Sequence, residues 1–240
     1  MLILYITYVD MNGAASGSGV RPQKMYRALI EAGHAVKLIS GSQQRWDRKA
    51  RTAAVREIRQ WLEENRPDIC YIESPSTPIT FRCDIALIRE IHRMGIPIGY
   101  FYRDFYWKFP ELYPRRTDFT GRLKDCWLDH LQRRTDNVLR CADIVYFPSE
   151  ECKKYFSYAD MRTLPPAGEI RPLERCPEKN TCIYVGGISG DYGGEMMLHA
   201  FRHLNGEGKN YPLLLVCRER EWDAFRGKWE NEPWLEVHHT

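Results

Sequence analysis

Apolar and polar positions fall into blocks along the chain, and the blocks alternate between strand-like and helix-like spacing. Leu2–Val9 is a nearly continuous apolar run, followed by a polar step and the glycine-rich stretch "ASGSG". Pro22–Ala32 then reads as a helix. Pro22 suits its first turn, where a missing N–H costs nothing, and Gly33 suits its stop. Ala35–Ile39 is short and apolar, a second strand. Ala50–Glu64 places Val55, Ile58 and Leu62 on one helical face. Strands Asp68–Ile72, Ile98–Tyr102 and Ile144–Phe147 alternate with helices Cys83–Met94 and Thr117–Arg140. The last helix carries Phe119, Leu123, Trp127 and Leu131 at four-residue steps. Such alternation predicts a parallel sheet covered on both faces.

The pattern breaks at "PPAGEIRPLERCPEKN", rich in proline and charge and poor in apolar residues. The chain therefore divides into a domain over 1–164, a linker over 165–179 and a second domain over 180–240. In the second, strand Thr181–Val185, the loop "GGISGDYG", helix Gly194–Leu204, strand Leu213–Cys217, helix Glu219–Trp229 and a short apolar piece, Trp234–Val237, follow in order. That is room for about three strands, where a doubly wound domain has five or six. The expected fold class is α/β, two Rossmann-like domains with parallel sheets, the second incomplete. Ile183, Val185 and Leu213–Val216 read as strand residues buried on both faces. An unfinished sheet offers its open edge to a protein partner or to a second copy.

Composition narrows the classes. With 35 basic and 32 acidic residues the net charge is +3, too small to call for nucleic acid. The eight cysteines include no C-x-x-C pair and no metal-ligand spacing. Cys70, Cys182 and Cys217 lie in apolar runs, as packed, reduced thiols of a cytosolic protein do. No apolar stretch reaches the ~18 residues of a membrane span, and Met1–Val9 reads as a strand rather than a leader. The expected location is the cytoplasm.

The first glycine stretch is neither of two familiar phosphate loops. Gly17-Ser18-Gly19 supplies the first pair of G-x-G-x-x-G, but Pro22 stands at the third position, and the second strand ends Ser40-Gly41 with no acid for a ribose. The Walker pattern needs Gly-Lys-Ser/Thr, and Gly19 is followed by Val20-Arg21. What remains is a strand-to-helix loop whose free N–H groups favour an anion, with Arg21 adding charge. The same glycines also suit a plain tight turn.

The opening strand, its loop and "MYRALIEAGHAVKLIS" resemble the start of a GT-B glycosyltransferase of the family 4 type. "ADIVYFPSEECKKYF" resembles the strand–Ser–helix near the end of that family's first domain, "TLPPAGE" the crossover, and "CIYVGGISGDYGGEMMLHAFRHL" the first strand–loop–helix of its donor-binding domain. The resemblance implies two Rossmann-like domains, with the nucleotide diphosphate sugar held mainly by the second and a glycan or lipid-linked acceptor by the first. It implies sugar transfer with retention at the anomeric carbon and no required metal or other cofactor. Donors aimed at the diphosphate stabilise the charge it gains as the glycosidic bond breaks. By this resemblance Gly17, Gly19 and Arg21 reach the diphosphate from one side and Gly186 and Gly187 from the other. Arg103 and Asp104, in "YFYRDFYW", face the acceptor where the family has His-Asp.

The chain also departs from the family. Gly186-Gly187 and Tyr192-Gly193 stand where Gly-Arg and Lys-Gly would grip the diphosphate, and the family's glutamate pair would lie beyond Thr240. A chain inactive alone is therefore expected. A non-catalytic binding subunit of a split glycosyltransferase, and another phosphate-binding α/β protein, stand as alternatives.

Two further patterns carry chemistry. His199 and His203 sit four apart without a third ligand at metal spacing, so they read as surface residues. The rings of "FYRDFYWKFPELYPRR" follow a strand end, where α/β proteins place sites. They are expected to stack on a sugar or lipid-linked acceptor, with Arg103 and Arg116 on its phosphate. As packing, the same rings would hold the loop on the sheet. The charges of the helix behind it read as a solvated face, with contact to anionic lipid at the inner membrane face as the lesser alternative.

Overall fold

The computed structural model describes residues 1–11, 17–109, 115–166 and 180–239. The chain separates into two compact units, Met1–Gly168 and Glu169–Thr240. Of the expected linker, residues 167–179 lie outside the described residues.

The first unit is built on six parallel strands: β1 (Leu2–Ile6), β2 (Ala35–Ile39), β3 (Ile69–Glu73), β4 (Ile98–Phe101), β5 (Ile144–Phe147) and β6 (Met161–Thr163). Their spatial order is β2-β1-β3-β4-β5-β6, so the direction of winding reverses between β1 and β3. The register is continuous: Leu4 lies beside Lys37 on one side and Cys70 on the other. Five helices connect the strands: α1 (Gly17–Glu31), α2 (Arg48–Glu64), α3 (Arg82–Arg93), α4 (Phe119–Leu139) and α5 (Glu150–Lys153).

Strand residues Leu4, Ile6, Cys70, Ile72, Ile98 and Val145 form one core with Val55, Ile58 and Leu62 of α2 and Leu87, Ile88 and Ile91 of α3. Each apolar stripe falls at helical spacing, so burying it fixes the helix against the sheet. Gly33 and Gly95, at φ of 80° and 68°, supply the left-handed turns that stop α1 and α3.

Three features differ from the expected elements. Helix α1 begins at Gly17, so Pro22 lies inside it. The interior proline removes one main-chain donor from the helix, and separately the Pro22 carbonyl accepts from the Tyr5 hydroxyl at 3.1 Å. Helix α4 starts at Phe119 behind Asp118, whose carboxylate accepts from the Gly121 N–H. Of its four-residue stripe only Leu131 is buried; Phe119, Leu123 and Trp127 are exposed, and the buried face runs through Gln132, Thr135, Val138 and Leu139. The three-residue β6, too short and polar for its pattern to register, completes the sheet edge.

The second unit carries three parallel strands, β7 (Cys182–Val185), β8 (Leu213–Cys217) and β9 (Leu235–His239), in sequential order. Helix α6 (Gly194–Gly206) and two single-turn helices, α7 (Glu219–Trp222) and α8 (Arg226–Trp229), complete it. Its core joins Ile188, Leu198, Leu213, Leu215, Trp222 and Trp229. Ile183 and Val185 are 64% and 66% exposed, which corrects the expectation of strands buried on both faces. They lie beside Leu214 and Val216, which are only half-buried, so one face of this sheet is covered and the other is open. Cys182 is exposed, unlike Cys70 and Cys217.

Candidate functional site

The carboxyl ends of β1 to β4 gather the candidate side chains of the first unit. Crevices there, at the point where winding reverses, are where open parallel sheets bind ligands. Glu73 ends β3 and is fully buried. Arg21 of α1 meets it, Nε to Oε1 at 3.2 Å, and lays its guanidinium 3.8 Å from the centre of the Phe101 ring at the end of β4. The Tyr71 hydroxyl donates to Glu73 at 3.0 Å. Burial pushes the Glu73 carboxyl above its ordinary range, and Arg21 offsets only part of that. Arg21 is therefore an internally paired cation.

Arg103 and Asp104 follow β4. Their side chains pair at 3.1 Å and are 14% and 16% exposed. The Arg103 N–H donates to Ser74 Oγ and its Nη2 to Ser76 Oγ, both at 2.9 Å. This tie joins the loop after β4 to the loop after β3.

An open cleft of about 920 Å³ lies beside them. Its floor is Tyr8 and Val9 after β1, Ser42–Gln44 after β2, and Pro75–Pro78 after β3. Trp127, Leu128 and Leu131 of α4 form an apolar wall. Five basic side chains face it, Arg48, Arg82, Arg103, His130 and Arg134, and no carboxylate lines it among the described residues.

Its floor is well supported. Thr135 Oγ accepts from the Ile79 N–H at 2.8 Å, and the Gln43 side chain accepts from the Thr80 N–H at 2.6 Å. Below it, Arg51 and Asp84 form a fully buried pair at 2.9 Å. Arg51 also donates to the carbonyls of Thr7 and Ser40, at 2.9 and 3.0 Å, which secures the chain as it leaves β1 and β2.

In the second unit, the loop after β7 turns at Gly186 (φ 158°) and Gly193 (φ 67°). Gly186 donates its N–H to the Val216 carbonyl at 3.0 Å, so that donor belongs to the sheet. The Gly187 carbonyl accepts from the Tyr184 hydroxyl at 2.7 Å. The next N–H, of Ile188, donates to the Glu221 carboxylate at 2.8 Å, and Arg218 pairs with the same carboxylate at 3.0 Å. A Cβ added at Gly187 would stand 2.8 Å from the exposed Tyr192 ring, which would have to shift to admit it.

Among solved structures, the whole chain aligns with 65% of the Acinetobacter baumannii MurG chain at a TM-score of 0.54 and 11% identity. The chain has the GT-B fold. It spans about 65% of the length of that MurG. The apo UGT2 structure from Phytolacca americana aligns over all of this chain and 72% of its own, at a TM-score of 0.48 and 8% identity. No protein-family profile matches the chain, and no curated protein matches it in sequence.

On this GT-B frame the expected site residues take definite places. Gly17 and Gly19 lie in the first turn of α1 rather than in a loop; residues 12–16 before them lie outside the described residues. The first four N–H groups of a helix have no partner within it, and both glycines fall among those four positions. Arg21 turns to Glu73, and Gly186 has spent its N–H. The expected aromatic platform is largely packing: Tyr102 and Phe105 meet Phe156 at 4.9 and 5.3 Å, and Phe109 meets Tyr155 at 5.0 Å. Arg116 is held by Asp125, whose carboxylate accepts from its main-chain N–H at 3.0 Å.

The histidines of α6 pair with glutamates, His199 with Glu195 and His203 with Glu207. Among the described residues no group of three or more metal-ligating side chains converges. Nor is any described helix long and apolar enough to cross a membrane. Sequence reasoning passed over Glu73 and the cations Arg48, Arg82 and His130, and read Arg134 as part of a solvated helix face. The available signal was Arg48 and Arg82 opening their helices, where a cation opposes the helix dipole.

Proposed function

We propose that this chain is a glycosyltransferase, or the N-terminal part of one, moving a sugar from a nucleotide diphosphate sugar to a glycan or lipid-linked acceptor. The observation that carries the reading is the basic cleft at the carboxyl ends of β1 to β4 in a chain of GT-B fold. In this reading the acceptor occupies the cleft, and Asp104, held against the lining residue Arg103 at the cleft's margin, orients the attacking hydroxyl. The helix-end donors at Gly17 and Gly19 approach the donor diphosphate from the first unit. The Arg21–Glu73 pair shapes that end of the sheet, and the Gly186–Gly187 loop approaches from the second unit. The leaving diphosphate is stabilised by such donors without a metal. Retention at the anomeric carbon, and work in the cytoplasm at the inner membrane face, follow from the same resemblance.

The test is release of nucleoside diphosphate from a panel of uridine and guanosine diphosphate sugars, with and without lipid-linked and polysaccharide acceptors. Acceptor-dependent release that Asp104→Asn abolishes supports the reading. Binding of none of the sugar nucleotides overturns it.

A second reading is a binding subunit that a separate protein completes. It is favoured by Glu221, a carboxylate held at the loop expected to meet the donor diphosphate. Nucleotide binding without turnover, with turnover restored by a partner protein, distinguishes it from the first.

A further inference from the structure

We propose that one water molecule is a built-in part of the first unit, bound beneath the cleft floor by Tyr8 Oη, Arg51 Nη2 and Asp84 Oδ2. The site stands on these three buried atoms, independently of the glycosyltransferase reading.

Arginine carries five N–H donors, and Arg51 spends only some of them. Its Nε serves Asp84 Oδ1 at 2.9 Å, and its Nη1 serves the carbonyls of Thr7 and Ser40. Its Nη2 is enclosed and meets no acceptor among the described residues. The second oxygen of Asp84 is likewise enclosed without a donor, and so is the Tyr8 hydroxyl without a partner. The three atoms share one corner of the core. Arg51 and Asp84 are already paired, and the Arg51 guanidinium lies 4.6 Å from the centre of the Tyr8 ring. Burial first, and the Asp84 carboxylate next, push the Tyr8 pKa well above its ordinary value, yet no direct bond joins the two groups.

Buried polar atoms of folded proteins are nearly always satisfied, by protein or by ordered water. Here the chemistry selects the occupant. An anion would face the Asp84 carboxylate, and a cation would face the Arg51 guanidinium. An apolar group would leave all three atoms unsatisfied. Water accepts from Tyr8 and Arg51 and donates to Asp84 from a single position. Those three hydrogen bonds are the usual complement of a buried water. All three atoms are closed to bulk water, so the bound molecule exchanges only when the unit opens. Its effect is mechanical. Tyr8 follows β1 and forms part of the cleft floor, Arg51 lies near the start of α2, and Asp84 near the start of α3. One water thus ties the exit of the central strand to two helices and braces the floor from below.

The deciding variant is Tyr8→Phe, which removes one hydroxyl and keeps the ring. With the water in place the variant loses a hydrogen bond, and its melting temperature should fall by about 2–4 °C. An unsatisfied hydroxyl would give the opposite sign, because its removal relieves a buried polar group. A melting temperature that holds or rises therefore overturns the site. Tyr155→Phe, at a half-exposed ring elsewhere in the unit, should leave the melting temperature unchanged.

Two measurements on the full chain identify the molecule itself. Water magnetic relaxation dispersion counts long-lived internal waters, and Tyr8→Phe should shorten the residence of one of them by about tenfold, the scale of one hydrogen bond. An unchanged dispersion overturns the site. A crystal structure should show a water within hydrogen-bond distance of Tyr8 Oη, Arg51 Nη2 and Asp84 Oδ2. A direct bond between Tyr8 and Asp84, an ion in the water's place, or side-chain carbons filling the space overturns it.

Discussion

Asp84→Ala should be among the most damaging single changes to the first unit. Asp84 and Arg51 are 1% and 2% exposed, and the carboxylate oxygen lies 2.9 Å from Arg51 Nε. Removing it leaves a guanidinium without its counter-charge in a place bulk water does not reach. Breaking one partner of a buried pair costs about 3–5 kcal/mol. Arg51 keeps its bonds to the Thr7 and Ser40 carbonyls, so the lower end, about 3 kcal/mol, is expected. Against a net stability of about 5–15 kcal/mol that is a fifth or more of the total. For a chain of this size each kcal/mol moves the melting temperature by about 2–4 °C, so the shift should be about 6–12 °C. Urea and thermal unfolding followed by circular dichroism measure it. The double replacement Arg51→Met/Asp84→Leu should recover most of the loss, because two apolar groups need no counter-charge. An Asp84→Ala protein within about 1 kcal/mol of the parent would refute the reasoning. So would a double variant no more stable than the single.

Four more outcomes are expected. Asp104→Asn should lower sugar transfer by about 10²-fold or more while leaving the melting temperature nearly unchanged, since Asp104 is an edge group rather than a core one. Glu73 has its pKa raised in the folded state, so its ionisation subtracts stability as pH rises from the ordinary carboxylate range through the folded value. The stability of Glu73→Gln relative to the parent should therefore climb as pH rises above the ordinary carboxylate range; a flat or falling difference would contradict the assignment. Glu221→Gln should tighten nucleoside diphosphate binding by about tenfold if that loop meets the phosphates, because a like charge is removed from it. In hydrogen exchange, amides of β7 should exchange faster than those of β1 and β4, given the bare Ile183 and Val185.

The first unit was legible because its strands are unbroken apolar runs and its helices carry clean stripes such as Val55, Ile58 and Leu62. Periodicity does not say which strand neighbours which, so the reversal between β1 and β3 was hidden, and with it the place of the cleft. It also cannot tell a stripe that meets a sheet from one that overshoots it. Phe119, Leu123 and Trp127 share spacing with Leu131, yet only Leu131 is buried. Arg103 and Asp104 were singled out by the resemblance, and the structure places them just after β4, paired with each other. Arg48, Arg82 and Arg134 lie far apart in sequence and become one constellation only through the topology. Glu73 lies one residue past the expected end of its strand, and its partners Arg21 and Tyr71 meet it only in the folded sheet.

The place of β1 has a consequence for the order in which the chain is made. As a central strand it must be flanked by β2 on one side and β3 on the other, and its residues Leu4, Tyr5 and Ile6 are almost wholly enclosed in the finished unit. Its second edge stays open until Glu73 has left the ribosome. At about 5–20 residues per second that is several seconds of waiting. From then on, every strand through β6 is laid against the same moving edge, so the rest of the sheet is completed in the order of translation. The vulnerable interval falls early, when two strands and α1 exist with nothing yet to cover the far side of β1. A slow stretch of translation just after β3 would protect this unit, and one just before it would leave its most apolar strand to the nearest chaperone.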